Sequence, residues 1–360
     1  MSSQISFQRL VSIDLLRGVA VLLMIQQHVL YWLCTDIANS TVAIGLGAMG
    51  GLAAPLFVTL AGVGSSLALK RHCQIECLMP LRGLIILCFG YLLNFLTPSW
   101  FSLGAWYVLH LIGFAVMISP FLQKIPSKAL LVLMTVVIFS TALLQTNLET
   151  PLRLFNQQMG NPINLGGFFR HMFVEGFFPI FPWIAYFMAG IVAGRWILQK
   201  KIKKISVLAA VLFSIFIILA VCFFFKLPFT RNIYLIRFFV VTPSFYPSST
   251  PMILLLISLS LFFLSGVTIL EAKVSYENLK FLSYLGQSSM TLLIIHVFII
   301  RGSAHYFGFW RIFPMPTAVM LTWATLLFFT IMVYSWQKTN YRYGAEWLMR
   351  KVSSWSLAAS

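Results

Sequence analysis

The chain has 360 residues, 60% of them hydrophobic, 16% aromatic and only 9% charged, a balance that excludes a water-soluble fold of this length. Its formal charge of +17 does not point to nucleic acid, because the basic residues gather at the ends of apolar runs, where they report membrane topology. The cysteines, Cys34, Cys73, Cys77, Cys88 and Cys222, form no CxxC pair and have no companion histidines at ligand spacing, so neither a disulfide framework nor a metal site is expected.

Apolar segments of membrane length fall at 12–33, 52–69, 81–97, 103–122, 128–145, 176–197, 205–225, 251–270, 281–300 and 317–336. Short connectors leave no room for a sizeable soluble domain, so residues 1–360 read as one all-α, polytopic transmembrane helical bundle of about ten helices. The first run has no cleavage site of small residues after it and reads as a retained helix. Connectors bearing Lys70, Arg71 and Arg82, then Lys124 and Lys128, then Arg195, Lys200, Lys201, Lys203 and Lys204 alternate with connectors poor in basic residues. Positive charge marks the cytoplasmic side, which predicts that both termini are cytoplasmic.

The first segment, SIDLLRGVAVLLMIQQHVLYWL, carries Asp14, Arg17 and His28. Ionisable groups at membrane depth are costly and face protein or a water-filled cavity, which makes these three functional candidates. Eleven helical positions are close to three turns, so Arg17 and His28 lie within about 20° on one face and about 16 Å apart along the axis. Asp14, three residues before Arg17, is placed to pair with it.

The second segment sets Gly62, Gly64, Ser65 and Ser66 near its middle; small residues there suit a helix-packing seam more than a ligand contact. The third begins at Arg82 and carries Asn94, and the fourth places His110 just past Trp106 and Tyr107. A membrane-embedded histidine needs a partner, and His110 is expected to share a cavity with Arg17 and His28. Glu175 opens the sixth segment, where Pro179, Pro182 and Trp183 suggest shaped, cavity-lining backbone. In the ninth, Ser288, Ser289 and Thr291 can satisfy themselves on backbone carbonyls, leaving Gln287 and His296 as the informative polar residues. Two long outer connectors, 146–175 with NPINLGG and 226–250 leading into TPSFYPSSTP, are either lids or tolerated insertions.

The stretch RLVSIDLLRGVAVLLMIQQH resembles the first helix of the transmembrane acyltransferase superfamily, specifically bacterial proteins similar to the catalytic domain of heparan-alpha-glucosaminide N-acetyltransferase. APLFVTLAGVGSSLAL, WYVLHLIGFA and FPIFPWIAYFMAGIVAGR continue the similarity, and LGQSSMTLLIIH looks like a later helix of related proteins. In that superfamily an arginine followed after ten residues by a histidine marks the first helix, and Arg17 and His28 reproduce the spacing. The resemblance implies a bacterial inner-membrane enzyme with His28 as its catalytic histidine and Arg17 helping to hold the acyl donor or to organise the helix; Asp14 and Arg82 stand beside Arg17 as donor-binding or supporting candidates. It implies acyl-CoA, with acetyl-CoA the family default, as cosubstrate, no metal, a sugar, glycan or small-molecule acceptor, the lipid bilayer as surroundings, and room for a homodimer.

Acyl transfer from a thioester needs a base or an acyl carrier, and histidine can serve as either near neutral pH. The same polar stripe also suits a proton-coupled solute transporter, and a structural membrane protein in which Asp14 and Arg17 merely pair remains a third reading.

Overall fold

The computed structural model describes residues 10–35, 37, 41–71, 75–98, 102–152, 165–241, 246–271, 273 and 276–358. The first part of NPINLGG and the first part of TPSFYPSSTP lie outside them. In chain order the helices are α1 (Val11–Leu33), α2 (Thr41–Gly50), α3 (Ala53–Arg71), α4 (Ile75–Leu96), α5 (Val108–Lys124), α6 (Ser127–Asn147) and α7 (Leu165–Arg170). After a π-helical turn, His171–Glu175, come α8 (Ile180–Leu198), α9 (Ile202–Phe224), α10 (Ile236–Phe239) and α11 (Thr250–Glu271). Then follow α12 (Lys280–Gln287), α13 (Ser289–His296), a second π-helical turn (Val297–Arg301), α14 (Gly302–Tyr306), α15 (Met315–Trp336) and α16 (Ala345–Ala358). Among the described residues the only β-type pairing is an isolated bridge between Cys34 and Phe313.

Among the described residues eight helices are long and apolar enough to cross a membrane, and they overlap eight of the ten predicted segments, the second starting at Thr41 rather than at 52. The other two differ in form. The fourth is shorter than expected, because α5 starts only at Val108, where the Tyr107 N–H donates to His110 Nδ1 at 3.1 Å and sets the helix start. The ninth is broken: α12 and α13 meet at an angle of 64°. At that break Ser288 Oγ turns back to the carbonyls of Tyr284 (3.1 Å) and Leu285 (3.3 Å), and the amides of Met290 and Thr291 at the start of α13 donate to the Glu346 carboxylate. Interrupted helix at membrane depth persists where such partners replace the lost backbone bonds.

The bundle is built inside out relative to a soluble protein. Helix α9 has the highest mean hydropathy of the spans, 3.1, and is the least buried, whereas α8, at 1.4, is enclosed on nearly every side. Apolar surface facing outward and a more polar, tightly packed centre is the arrangement a lipid surround selects. The large side chains of α8 itself, Trp183, Tyr186 and Phe187, are all fully buried.

Helices approach each other through glycines, as expected where lipid gives no hydrophobic drive and close packing must supply the attraction. A methyl group on Gly62 would lie 2.2 Å from the Phe187 carbonyl oxygen, so α3 rests on α8 backbone to backbone, the seam predicted for the second segment. In the same way a methyl on Gly18 would sit 2.0 Å from the Leu282 oxygen, and one on Gly286 would sit 2.0 Å from the Asp14 oxygen. These two glycines lock α1 against α12 beside Asp14 and Arg17. Gly18→Ala should therefore lower the thermal midpoint of detergent-purified protein by an overpacking cost of about 1–3 kcal/mol. Gly45→Ala, within α2 where nothing lies within 4 Å of the added carbon, is the control and should leave the midpoint unlowered or slightly raised. Equal midpoints in both variants would contradict this packing.

The N-terminus of α1 has no cap of its own; instead the Val11 and Ser12 amides donate to the Glu271 carboxylate at the end of α11, at 2.8 and 3.1 Å. The start of α1, the end of α11, the start of α13 and α16 thus share one end of the bundle. Lys70, Arg71, Lys124, Lys128, Arg195 and Lys200–Lys204 belong to connectors at that same end.

Candidate functional site

At this basic end, α1, α3, α4, α5, the α12–α13 break and α16 enclose a cavity of about 480 Å³. Its polar lining comprises Asp14, Arg17, Ser65, Arg82, Gln287, Ser289, Glu346 and Arg350. The pair expected from helical spacing is present: Arg17 Nη1 lies 3.9 Å from Asp14 Oδ1, with Asp14 buried and Arg17 partly exposed. Gly64 faces this guanidinium, since a methyl there would come within 2.9 Å of Arg17 Nη2. The second segment therefore serves both purposes, Gly62 as packing seam and Gly64 and Ser65 as cavity wall. Apolar residues Phe57, Val108 and Leu293 line its remainder. A cavity of this volume with a few convergent polar groups is of the size that takes a small-molecule ligand.

His28 lies eleven residues further along α1, and His296 lies one turn of α13 beyond Leu293, about 4.5 Å along the axis. The two histidines, 268 residues apart in sequence, meet with His28 Nδ1 and His296 Nε2 at 2.9 Å. Their rings are within 10° of parallel, and Trp32 stacks beside both, with centroids 5.2 and 5.8 Å away. His296 is fully buried and His28 half-buried, so His28 is the member that presents surface.

The hydrogen-bond chain fixes the proton positions of the neutral pair. His296 Nδ1 is 2.8 Å from the Leu292 carbonyl oxygen, which can only accept, so His296 carries its proton on Nδ1 and accepts through Nε2. His28 must then donate from Nδ1, which leaves the lone pair of its ring on Nε2. A backbone carbonyl, acting through His296, orients His28 as a proton acceptor or nucleophile.

The structure corrects several expectations. The cavity that holds Arg17 is lined by neither His28 nor His110. His110 is fully buried between α4 and α5, packed edge-on against Tyr91 (4.4 Å) and beside Trp106 (5.5 Å). Its Nδ1 is spent on the Tyr107 amide, and the neighbouring Asn94 holds the backbone oxygen of Ala105 at 2.9 Å. Asn94, Trp106 and His110 thus gather at the start of α5, outside the cavity that holds Arg17, and each keeps a buried polar atom (Asn94 Oδ1, Trp106 Nε1, His110 Nε2) with no hydrogen-bond partner among the described residues. Trp183, placed in a cavity wall by the sequence, is 1% exposed and packs on Phe178 and Tyr186, because α8 is the central helix.

Glu175 does not open α8; it ends the preceding π-helical turn and accepts from Arg170 Nε at 2.8 Å and Thr150 Oγ1 at 2.7 Å. Arg237, from the second long connector, donates to the Thr150 carbonyl, so the two long connectors are laced together. Burial pushes the Glu175 carboxyl up, but the hydrogen bonds from Arg170 and Thr150 outweigh it and leave the group below its usual value. A carboxylate lowered on folding stabilises above its unfolded value near about 4.3, and that contribution is lost as pH falls through the folded value. Protease protection of these connectors should therefore hold at pH 7 and decline below about pH 4. Glu175→Gln should show the weaker protection already at neutral pH, and protection equal to wild type in that variant would refute the lacing.

Arg82 and Gln287 do line the cavity beside Arg17. Glu346, Arg350 and Glu271 were not singled out from the sequence. Glu346 and Arg350 lie in a short amphipathic stretch after the last apolar run; the scarcity of acids in the chain was the only signal for Glu346, and Arg350 had none.

A protein-family model described as heparan-alpha-glucosaminide N-acetyltransferase, catalytic, matches residues 9–236. No curated protein resembles the chain closely enough to count as a relative. The match covers α1 with Arg17 and His28 and the walls contributed by α3, α4 and α5, while His296, Gln287, Glu346 and Arg350 lie beyond it. With well over half its length matched, the chain, an integral membrane protein with the helices of a polytopic bundle, belongs to the heparan-alpha-glucosaminide N-acetyltransferase catalytic-domain family of transferases.

Proposed function

We propose that this protein moves an acyl group, acetyl in the first instance, from cytoplasmic acyl-CoA to a hydroxyl or amine of a sugar or other acceptor at the outer face of the membrane. The observation that carries the reading is the Leu292 carbonyl, His296, His28 chain, which leaves a basic ring nitrogen on the half-buried histidine of the first helix. As base, His28 Nε2 takes the proton of the acceptor while its oxygen or nitrogen attacks the thioester carbonyl; the C–S bond breaks and CoA leaves as thiolate. As acyl carrier, the same nitrogen attacks first and hands the acyl group on.

The placement of the donor rests on charge and reach. By the bias of basic connectors the cavity end is cytoplasmic, where acyl-CoA is found, and Arg17, Arg82 and Arg350 bring guanidinium groups to it. The apolar cavity wall runs to Leu293, one turn short of His296, which suits an extended pantetheine arm. Both termini would then be cytoplasmic, and the membrane a bacterial inner membrane. A proton-coupled transporter could use the same histidine pair, but membership in a transferase family weighs against it.

The test is to incubate membranes containing the wild-type protein with radiolabelled acetyl-CoA, with and without a cell-wall extract as acceptor. Label transfer with stoichiometric CoA release is expected. Proton-coupled solute uptake with no CoA consumption would replace the enzyme reading by the transporter.

A further inference from the structure

We propose that the C-terminal helix α16 is a working wall of the donor cavity and that Arg350 on it completes, with Arg17 and Arg82, a site for the phosphates of the donor's nucleotide. The proposal rests on the donor reading above and extends it to a part of the chain that lies beyond the family match.

Glu346, Met349 and Arg350 all line the cavity, and their spacing of three and four residues puts them on one face of α16. That face is held in place by reciprocal capping. The Glu346 carboxylate takes the amides of Met290 (2.6 Å) and Thr291 (3.2 Å) and the Thr291 hydroxyl (2.5 Å), while Thr291 Oγ1 accepts from the Ala345 amide at 2.8 Å. The starts of α13 and α16 therefore cap each other at the rim of the cavity.

The turn leading into α16 points the same way. Asn340, Tyr341 and Tyr343 all take left-handed backbone, with φ of 54°, 54° and 67°, a conformation that non-glycine residues adopt at a cost. Such backbone persists where its surroundings over-determine it, which is common beside functional sites. Here the Trp336 indole holds the Arg342 carbonyl at 3.0 Å, and Tyr341 is buried. The helix is docked by design of the turn rather than trailing from the last span.

The charges in the cavity favour a polyanion. Three guanidiniums line it against two carboxylates, and of those carboxylates Glu346 is engaged by the α13 amides and Thr291, and Asp14 lies beside Arg17. Arg350 is exposed toward the mouth and spends one donor, at 3.1 Å, on the Asn340 carbonyl, out of the five a guanidinium offers. Guanidiniums grip phosphate oxygens in bidentate fashion, and a nucleotide diphosphate with a further phosphate is the ligand class that three of them fit. An anionic phospholipid headgroup offers the same chemistry from another source, and the experiment separates the two.

Full-length protein in neutral detergent is titrated with adenosine 3′,5′-bisphosphate by calorimetry, as wild type, Arg350→Gln and Arg350→Lys. Arg350→Gln should bind about tenfold more weakly, corresponding to about 1.4 kcal/mol, with Arg350→Lys between the two. Its thermal midpoint should not change, because Glu346 and Thr291 rather than Arg350 seat the helix. In turnover, KM for acetyl-CoA should rise with kcat retained, and turnover of S-acetylpantetheine, which lacks the nucleotide, should be unaffected. Bisphosphate binding that is absent in wild type or unchanged in Arg350→Gln overturns the proposal. So does stabilisation by phosphatidylglycerol nanodiscs, lost in Arg350→Gln, without any bisphosphate effect. Arg350-dependent bisphosphate binding in a protein that transfers no acetyl group would leave the phosphate site standing and remove the acyltransferase reading instead.

Discussion

Acetyl transfer by His28→Ala should fall at least about 10²-fold, the usual contribution of a positioned acid–base group, and should vanish if His28 carries the acyl group. The fold should survive: His28 is half-buried, Trp32 and His296 remain to close the space, and alanine is the best helix former. Because the cavity with Arg17 and Arg82 lies apart from the pair, acetyl-CoA binding should persist in this variant while kcat is lost. Arg17→Ala should show the reverse, a raised KM, since it removes a guanidinium from the cavity without touching the histidines. Wild-type rates in His28→Ala would remove His28 from the mechanism altogether.

What the sequence made legible follows from the solvent. A bilayer demands long apolar helices with satisfied backbones, so the existence and order of eight spans could be read from the sequence though not all their boundaries, and the Asp14–Arg17 pair followed from three-residue spacing on one helix. Contacts between helices were not legible in this way. His28 and His296 are 268 residues apart, and nothing in either segment says that their ring nitrogens meet. His110 had the same apparent cost at membrane depth, and it meets half of that cost locally: Nδ1 accepts from the amide of Tyr107 three residues earlier, while Nε2 stays buried with no hydrogen-bond partner among the described residues. A helix start, which no polar spacing announces, took the ring nitrogen that the sequence reading reserved for a cavity. Thr291, set aside because threonines can bond their own helix, in fact joins α13 to α16 through Glu346. Two of the few acids in the chain, Glu271 and Glu346, cap helices far away in sequence, a use that leaves no periodic trace.

His296→Phe should reduce kcat by about 10 to 10² while leaving KM for acetyl-CoA near the wild-type value. The phenyl ring fills the space between Leu292 and His28 but offers no acceptor, so His28 loses the partner that keeps its proton on Nδ1 and its lone pair on Nε2. Freed of that constraint, the imidazole divides between two tautomers and rotates against Trp32, and only part of the population has a basic nitrogen in the productive place. His296→Gln should recover part of the loss, because an amide oxygen can accept from His28 Nδ1. A purely structural role for His296 predicts the opposite order, with the apolar, aromatic Phe better tolerated than Gln at this fully buried position. The double variant sharpens the distinction: if His296 acts through His28, adding His296→Phe to His28→Ala should cost little further activity, whereas two independent roles would multiply. Full activity in His296→Phe, or multiplicative losses in the double variant, would break the link between the two histidines and leave His28 to act without a positioning partner.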